Sequence, residues 1–199
     1  ALTKEENSTL TLTNTNTYEG LTTVSAGTLT LDQASSTTGT VIKDTSAVTV
    51  NGGILNLADN TETIGALTLT AGSITGTSKI LTGSSYTINP GEGVSVSIAP
   101  ILAGSVNLTK SAEGTLTLSG TNTYTGNTTI NGGIISVSSD RNLGAVPAEA
   151  TASHIILNDG TISTTATFEL ASTRGIELGS SHGTITVADS TTLTYDGII

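Results

Sequence analysis

The sequence predicts an all-β chain that winds into a right-handed parallel β-helix (a β-solenoid) of about nine coils with uncapped ends. Three observations carry this prediction: glycine corners at a steady interval, strands in which apolar and polar residues alternate, and a long segment that occurs twice. All three are typical of coils stacked along one axis, and the right-handed sense is the usual one for crossovers between parallel strands.

Glycine corners set the interval between coils. A glycine directly precedes a strand-like run at eight places: Gly27, Gly53, Gly72, Gly93, Gly114, Gly133, Gly160 and Gly183. Neighbouring glycines in this series lie 19 to 27 residues apart, with a mean of about 22. One turn of a solenoid needs two or three strands of about 4–6 residues and their corners, so this interval matches one coil.

The strand-like runs alternate strictly. In TLTLS, residues 115–119, Leu116 and Leu118 lie on one face, while threonine and serine lie on the other. Period two with one apolar face predicts half-buried strands. The same pattern occurs at Leu10/Leu12, Leu29/Leu31, Val48/Val50, Leu67/Leu69 and Ile185/Val187. Segment 140–150, DRNLGAVPAEA, differs and is predicted to be a loop with at most one helical turn.

Composition favours a narrow aliphatic core. The chain has 42 threonines and 23 glycines, but only four tyrosines, one phenylalanine and no tryptophan. Threonine prefers strands, and a sandwich of this length would usually use large aromatic side chains in its core. A sandwich of antiparallel sheets remains the alternative, because NGG and NDG are good hairpin signals.

A tandem repeat divides the chain into two long units, 1–107 and 108–199, within one continuous solenoid. Residues 2–29 match residues 108–135 at 15 of 28 positions, and both copies contain the tripeptide LTK. A weaker match relates 86–102 to 183–199. We expect the chain to be a piece of a longer array that ends in phase with the repeat, with further coils or a partner covering its ends.

Charge and cysteine content exclude several classes of function. The net charge of −10 disfavours nucleic acid and anionic lipid as partners. The absence of cysteine excludes disulfides and thiolate metal sites, and suits export through an oxidising compartment. We expect no cofactor. No apolar run reaches the length of a membrane span, and the first residues do not resemble a signal peptide.

Candidate catalytic residues are sparse, so no catalytic or metal site is predicted, and the binding residues stay unknown. The only adjacent acidic pair is Glu5-Glu6, and Asp140-Arg141 is predicted to be a solvated ion pair in a loop. His154 and His182 stand alone, the latter at a corner beside a glycine. Folding can still bring distant acids together, so a polysaccharide-active enzyme remains an alternative. The remaining isolated acids include Asp32, Asp44, Asp59, Asp159, Asp189 and Asp196.

Two polar patterns admit a binding role. Tyr18 and Tyr124 occupy the same place in the two repeats. Stacking of a sugar on these rings is conceivable. We expect instead that each ring packs at a corner of a coil and that its hydroxyl bonds to water or to the backbone. Thr-x-Thr units order water in some ice-binding solenoids. Here the units are spaced irregularly along the sequence, which argues against that function.

The segment LTKSAEGTLTLSGTNTYTGNTTINGG, residues 108–133, resembles the autotransporter-associated β-strand repeat, also called the passenger-associated transport repeat. The resemblance covers most of 108–199 and, more loosely, 1–102. It implies a right-handed β-helix in the secreted passenger of a Gram-negative surface protein, exported by type V secretion, with a C-terminal translocator barrel in the full-length protein.

The resemblance also implies a function without catalysis. We expect a β-helical stalk and adhesin scaffold, secreted or anchored at the outer membrane, that aids its own secretion and folding and contributes to virulence. Its partner would be a host-cell or surface receptor or a polysaccharide. A repeating unit of an extracellular filament or sheath, formed by end-to-end self-association, is a further alternative.

Overall fold

The chain forms stacked parallel strands with almost no helix. A computed structural model describes residues 1–33 and 40–199. Its strands, in chain order, are β1 (Leu2–Lys4), β2 (Thr9–Leu12), β3 (Thr22–Val24), β4 (Thr28–Leu31), β5 (Val48–Asn56), β6 (Glu62–Thr63), β7 (Ala66–Thr75), β8 (Ile80–Thr82), β9 (Ser85–Ile88), β10 (Ser95–Ile98), β11 (Ile101–Ala103), β12 (Leu108–Lys110), β13 (Thr115–Leu118), β14 (Thr128–Ile130), β15 (Gly133–Val137), β16 (Thr151–Leu157), β17 (Gly160–Thr164), β18 (Phe168–Leu170), β19 (Arg174–Leu178), β20 (Thr184–Val187) and β21 (Leu193–Tyr195).

Two columns of parallel strands run through all the coils. The first column is β1-β3-β5-β7-β9-β12-β14-β16-β19, and the second is β2-β4-β5-β7-β10-β13-β15-β17-β20. The long strands β5 and β7 turn a corner and belong to both. Shorter third-side ladders join β6-β8-β11 and β18-β21. Each main column therefore has nine rungs, and the prediction of a β-solenoid of about nine coils is confirmed.

The two long units share one stack. Strand β9 of the first unit pairs in parallel with β12 of the second, in the same column. The division at residue 107 stays a prediction. The weaker match of 86–102 with 183–199 does not describe equivalent positions, because β9 lies in the first column whereas β20 lies in the second. Alternation of apolar residues occurs in strands of both columns, as in β9 and β13, and it cannot tell one side of a coil from another.

Strand register explains the glycine interval. Extending the pairings by one residue aligns the corner glycines in two vertical sets, 27, 53 and 72 in the first and 114, 133, 160 and 183 in the second, and Gly133 pairs directly with Gly160. The two sets are offset by two residues, because the β7–β10 register places Gly72 opposite Val96. Within a set there is little room for side chains: a Cβ at Gly72, where φ is +90°, would lie 2.0 Å from the carbonyl oxygen of Gly53. Gly93 is the exception, because Val94 pairs with the position of Gly114 when the β10–β13 register is extended. No heavy atom lies within 4 Å of a Cβ built there.

The core is a stack of inward-facing aliphatic side chains. Leu29, Leu67, Leu69 and Leu116 are fully buried, and their threonine neighbours face outward, as the alternation predicts. The outermost rungs are more open. Leu10 and Leu12 of β2 are half-buried, whereas Ile185 and Val187 of β20 are exposed by 36% and 43%, since each of these strands has a paired neighbour on one side of its column.

A loop interrupts the regular coils after β15. It begins with a single 3₁₀ turn, Asp140–Leu143, and continues to β16. This agrees with the predicted loop with at most one helical turn. Within the described ranges, no helix is long and apolar enough to cross a membrane.

Candidate functional site

A buried arginine organises this loop. Arg174 is fully buried at the start of β19, and its Nε donates to Asp140 Oδ1 at 2.7 Å while Nη2 reaches Oδ2 at 3.2 Å. The same guanidinium donates to the carbonyl oxygens of Leu143, Gly144 and Ala145 at 3.0, 2.7 and 3.2 Å. Five donors in a planar fork are suited to such a set of acceptors. One side chain thus holds the loop from Asp140 to Ala145.

The partner of Asp140 differs from the one predicted. Arg141, its neighbour in sequence, is exposed, and the ion pair forms instead with Arg174, 34 residues further along the chain. The pair is largely desolvated, since the Asp140 side chain is 15% exposed and that of Arg174 is 0% exposed. The prediction of a solvated Asp140–Arg141 pair is wrong, because the loop turns Asp140 inward onto the following coil.

The two histidines lie in different surroundings. His154 in β16 is buried, and its Nδ1 lies 3.3 Å from Nη1 of Arg174. An arginine can only donate, so Nδ1 accepts and the proton resides on Nε2. Burial and the nearby guanidinium lower the pKa of His154 to about 4, which keeps the ring neutral. His182 is exposed just before β20, and its backbone oxygen accepts from Asp159 N at 2.7 Å.

A lysine of each repeat is buried against backbone carbonyl groups. Lys110 Nζ donates to the carbonyl oxygens of Ser111, Ala112 and Gly132 at 3.0, 2.7 and 3.1 Å. Burial lowers the pKa of Lys110 to about 8. Lys4 makes the equivalent contacts in the first repeat, to the carbonyl oxygens of Glu5, Glu6 and Ala26.

The alternation itself contained the signal for these lysines. Lys110 stands two residues after the inward-facing Leu108, on the same side of β12, and the tripeptide LTK occurs in both repeats. The burial of these lysines was not predicted, because lysine is rarely buried.

The repeat tyrosines are structural. Tyr124 is fully buried, and its ring meets that of Tyr86 edge to face at 6.2 Å. Its hydroxyl bonds to the Thr128 hydroxyl at 2.7 Å, and Tyr18 bonds to Thr22 in the same way. Burial raises the pKa of Tyr124 to about 12. The packing role is as predicted, but the hydroxyl partner is a threonine side chain rather than water or backbone.

One carboxylate is buried against backbone N–H groups. Glu62 accepts from Val41 N at 2.9 Å and from Ile42 N at 2.6 Å. Burial raises the pKa of Glu62 to about 7, although these two donors lower it in part. Glu62 thereby attaches the preceding coil to β6. Nothing in the sequence around it distinguished it from the exposed acids.

The isolated aspartates that the sequence singled out lie mostly at the surface. Asp44, Asp59, Asp159, Asp189 and Asp196 are exposed, and Asp32 is half-buried. Lys79 forms an ion pair with Asp59 at 3.1 Å near the surface. In residues 1–33 and 40–199, no three histidine or acidic side chains group closely enough to hold a metal ion.

Two hollows lie at the coil carrying β16. The larger, about 610 Å³, is mostly apolar and lies where Ile176 and Leu178 of β19 face Ile198 and Ile199. The smaller, about 240 Å³, lies between the corner that precedes β14 and the loop that Arg174 holds. Its lining includes Thr125, Asn127 and His154, and we call it the loop cavity.

Threonines are stacked regularly on the outer surface. In the first seven rungs of the first column, the strand registers place one threonine per coil in a single line, and its members are Thr3, Thr23, Thr49, Thr68, Thr87, Thr109 and Thr129. Successive members lie one inter-strand spacing apart, about 4.8 Å. The irregular spacing in sequence thus becomes regular in the fold, because loops absorb the differences in coil length.

Comparison with known proteins matches both repeats. The family model described as passenger-associated-transport-repeat matches residues 2–31 and 108–137. The chain is also 40% identical, over 125 residues, to the adhesin BmaC autotransporter of Brucella suis biovar 1 (strain 1330). The alignment covers 60% of this chain, which spans about 3% of the length of that protein. No solved structure matches the chain.

These matches coincide with the repeated contacts in the fold. Each matched segment begins at the strand that carries the buried lysine, β1 or β12, and includes the tyrosine–threonine bond. The parallel solenoid, the two matched repeats and the adhesin relative make this chain similar to the repeat regions of autotransporter passengers.

Proposed function

We propose that this chain is a non-enzymatic β-helical stalk and adhesin scaffold, secreted or held at the outer surface of the cell, that aids its own secretion and folding. The observation that carries the proposal is the unbroken pair of strand columns through both matched repeats. A rod of this kind projects a binding surface away from the cell, and it needs no reaction centre to do so.

The repeat contacts support a role in folding outside the cell. A coil bonds only to its neighbours, so coils can add one at a time as a chain leaves a pore. The lysine of each repeat ties its own turn to a corner of the next coil, as Lys110 does to Ala112 and Gly132. Each repeat thus contains a polar contact set that closes when the next coil arrives, and this disfavours backward unwinding.

The relative supports the adhesive part of the proposal. That protein is called an adhesin autotransporter, and the aligned segment spans more than half of this chain. By analogy, the full-length protein would carry a translocator barrel, and the partner would be a host or surface receptor or a polysaccharide. The acidic surface disfavours nucleic acid.

Surface display and attachment test the proposal together. Three variants of the full-length protein are compared. The first lacks residues 108–199, and the second carries Lys110→Met, which removes one repeat contact. The third carries Lys79→Met, which removes a surface ion pair and is the matched control for K110M. We expect the deletion to reduce cell attachment, and K110M to reduce the fraction of protease-resistant passenger at the surface while K79M does not. Unchanged display and attachment after the deletion would contradict the proposal.

A further inference from the structure

We propose that the loop cavity binds one neutral sugar unit. The proposal deepens the adhesive role above and rests on it for its biological setting, but the chemistry comes from the cavity. Its walls are the corner residues Thr125 and Asn127, the loop residues 145–148, and two residues of β16, Thr151 and His154.

A buried donor faces this cavity. His154 is 3% exposed, and its Nδ1 is taken by Arg174, which is not among the lining residues. Because His154 lines the cavity and its Nδ1 is engaged, the polar group that its ring can offer to a ligand there is Nε2–H. No acceptor for this group is found in the described part of the chain. An N–H donor at the wall of a cavity can bond to a ligand that brings an acceptor.

The remaining polar groups can both donate and accept. Within the described residues, neither the Asn127 amide nor the Thr125 hydroxyl bonds to another protein group, and the Thr151 hydroxyl bonds to Glu149 O at 3.1 Å. Hydroxyl and amide side chains of this kind match sugar hydroxyls, which also donate and accept. Val146 and Pro147 supply an apolar wall for the C–H face of a ring.

The volume of the loop cavity and the charge around it limit the class of ligand that it can bind. The cavity, about 240 Å³, is smaller than the roughly 300–1,000 Å³ of pockets for drug-sized molecules, so it fits a single ring. No charged side chain lines it, and the net charge of −10 disfavours acidic sugars. One wall is held before binding at Ala145, because Arg174 bonds to Ala145 O and Tyr124 O accepts from Ala145 N. Such preorganisation reduces the entropic cost of binding.

Imidazole nitrogen NMR of the purified chain tests this directly. Glucose, galactose and N-acetylglucosamine are titrated separately, with glucuronic acid as the anionic comparison. We expect at least one neutral sugar to shift the Nε2 signal of His154 with a Kd on the order of 1–10 mM, and glucuronic acid to bind more weakly. We expect Asn127→Ala to weaken binding about three- to tenfold, while Asn131→Ala, an exposed asparagine outside the cavity, does not.

Three results would overturn the inference: no shift at His154 with any neutral sugar, equal or tighter binding of glucuronic acid, or equal binding by N127A and N131A. Because the titration uses the isolated chain, its failure leaves the display and attachment experiment unaffected. Conversely, the display and attachment experiment does not measure binding at His154. Each of the two proposals can therefore be refuted without refuting the other.

Discussion

Replacing Arg174 with methionine should destabilise the chain severely. The substitution keeps much of the side-chain volume but removes every donor, so Asp140 and the carbonyl groups of Leu143, Gly144 and Ala145 lose a buried partner. Removing one member of a buried ion pair costs about 3–5 kcal/mol, since the other charge stays buried and uncompensated. Complete folded domains are stable by only about 5–15 kcal/mol.

Urea denaturation of the purified chain, followed by circular dichroism, measures this loss. Because a solenoid can lose terminal coils without unfolding fully, amide hydrogen exchange in β16 and β19 locates the change. We expect R174M to accelerate amide exchange in β16 and β19 more than in β3 and β5, which lie far from the loop along the column.

Arg141→Ala is the matched control, because it removes the exposed arginine beside the same aspartate. We expect R141A to change the free energy of unfolding by less than about 0.5 kcal/mol. In a double-mutant cycle, Asp140→Asn combined with R174M should cost less than the sum of the two single changes. If R174M costs no more than R141A, the cluster does not hold the loop.

Three further predictions concern the coils themselves. Gly72→Ala should cost about 1–3 kcal/mol more than Gly93→Ala in urea denaturation, because both glycines have positive φ but only the first meets the coil below; equal losses would refute close stacking. Tyr124→Phe should cost about 1–2 kcal/mol by leaving its buried threonine partner without a bond, and an unchanged midpoint would contradict this. Two buried groups should make the free energy of unfolding depend on pH in opposite directions. The pKa of His154 is lowered to about 4, so its contribution to stability is lost as pH falls from 6.5 through 4. The pKa of Glu62 is raised to about 7, so its contribution is lost as pH rises from 4.5 through 7. Each contribution is about 3 kcal/mol. Between pH 4.5 and 7, the free energy of unfolding of His154→Gln, which keeps Glu62, should fall as pH rises, and that of Glu62→Gln, which keeps His154, should rise. Slopes of the same sign in the two variants would refute the assignment.

The solenoid was predictable because its signals are local. Alternation at Leu116 and Leu118 fixes the inner face of a strand, and the corner glycines mark the interval between coils. Gly93 shows the limit of this reasoning. It has the sequence of a corner, but the β10–β13 register aligns Val94 with Gly114, and a Cβ at Gly93 meets no heavy atom within 4 Å.

The polar contacts were harder to predict because they connect different coils. Asp140 and Arg174 are separated by a full coil and a loop, and only the length of that coil decides which arginine reaches the carboxylate. Glu62 likewise meets Val41 through stacking, with no pattern in its own segment. Which imidazole nitrogen of His154 carries the proton depends in turn on Arg174, so no local pattern in the sequence predicted the loop cavity.

The varying length of the coils has a consequence for evolution and engineering. Neighbouring rungs stay aligned whether 19 residues separate them, as between Thr9 and Thr28, or 27, as between Gly133 and Gly160. Surplus residues leave the rod sideways as loops and do not alter its pitch. New recognition segments can therefore be inserted at the corners of such a protein, one coil at a time, while the stacked strands keep their register.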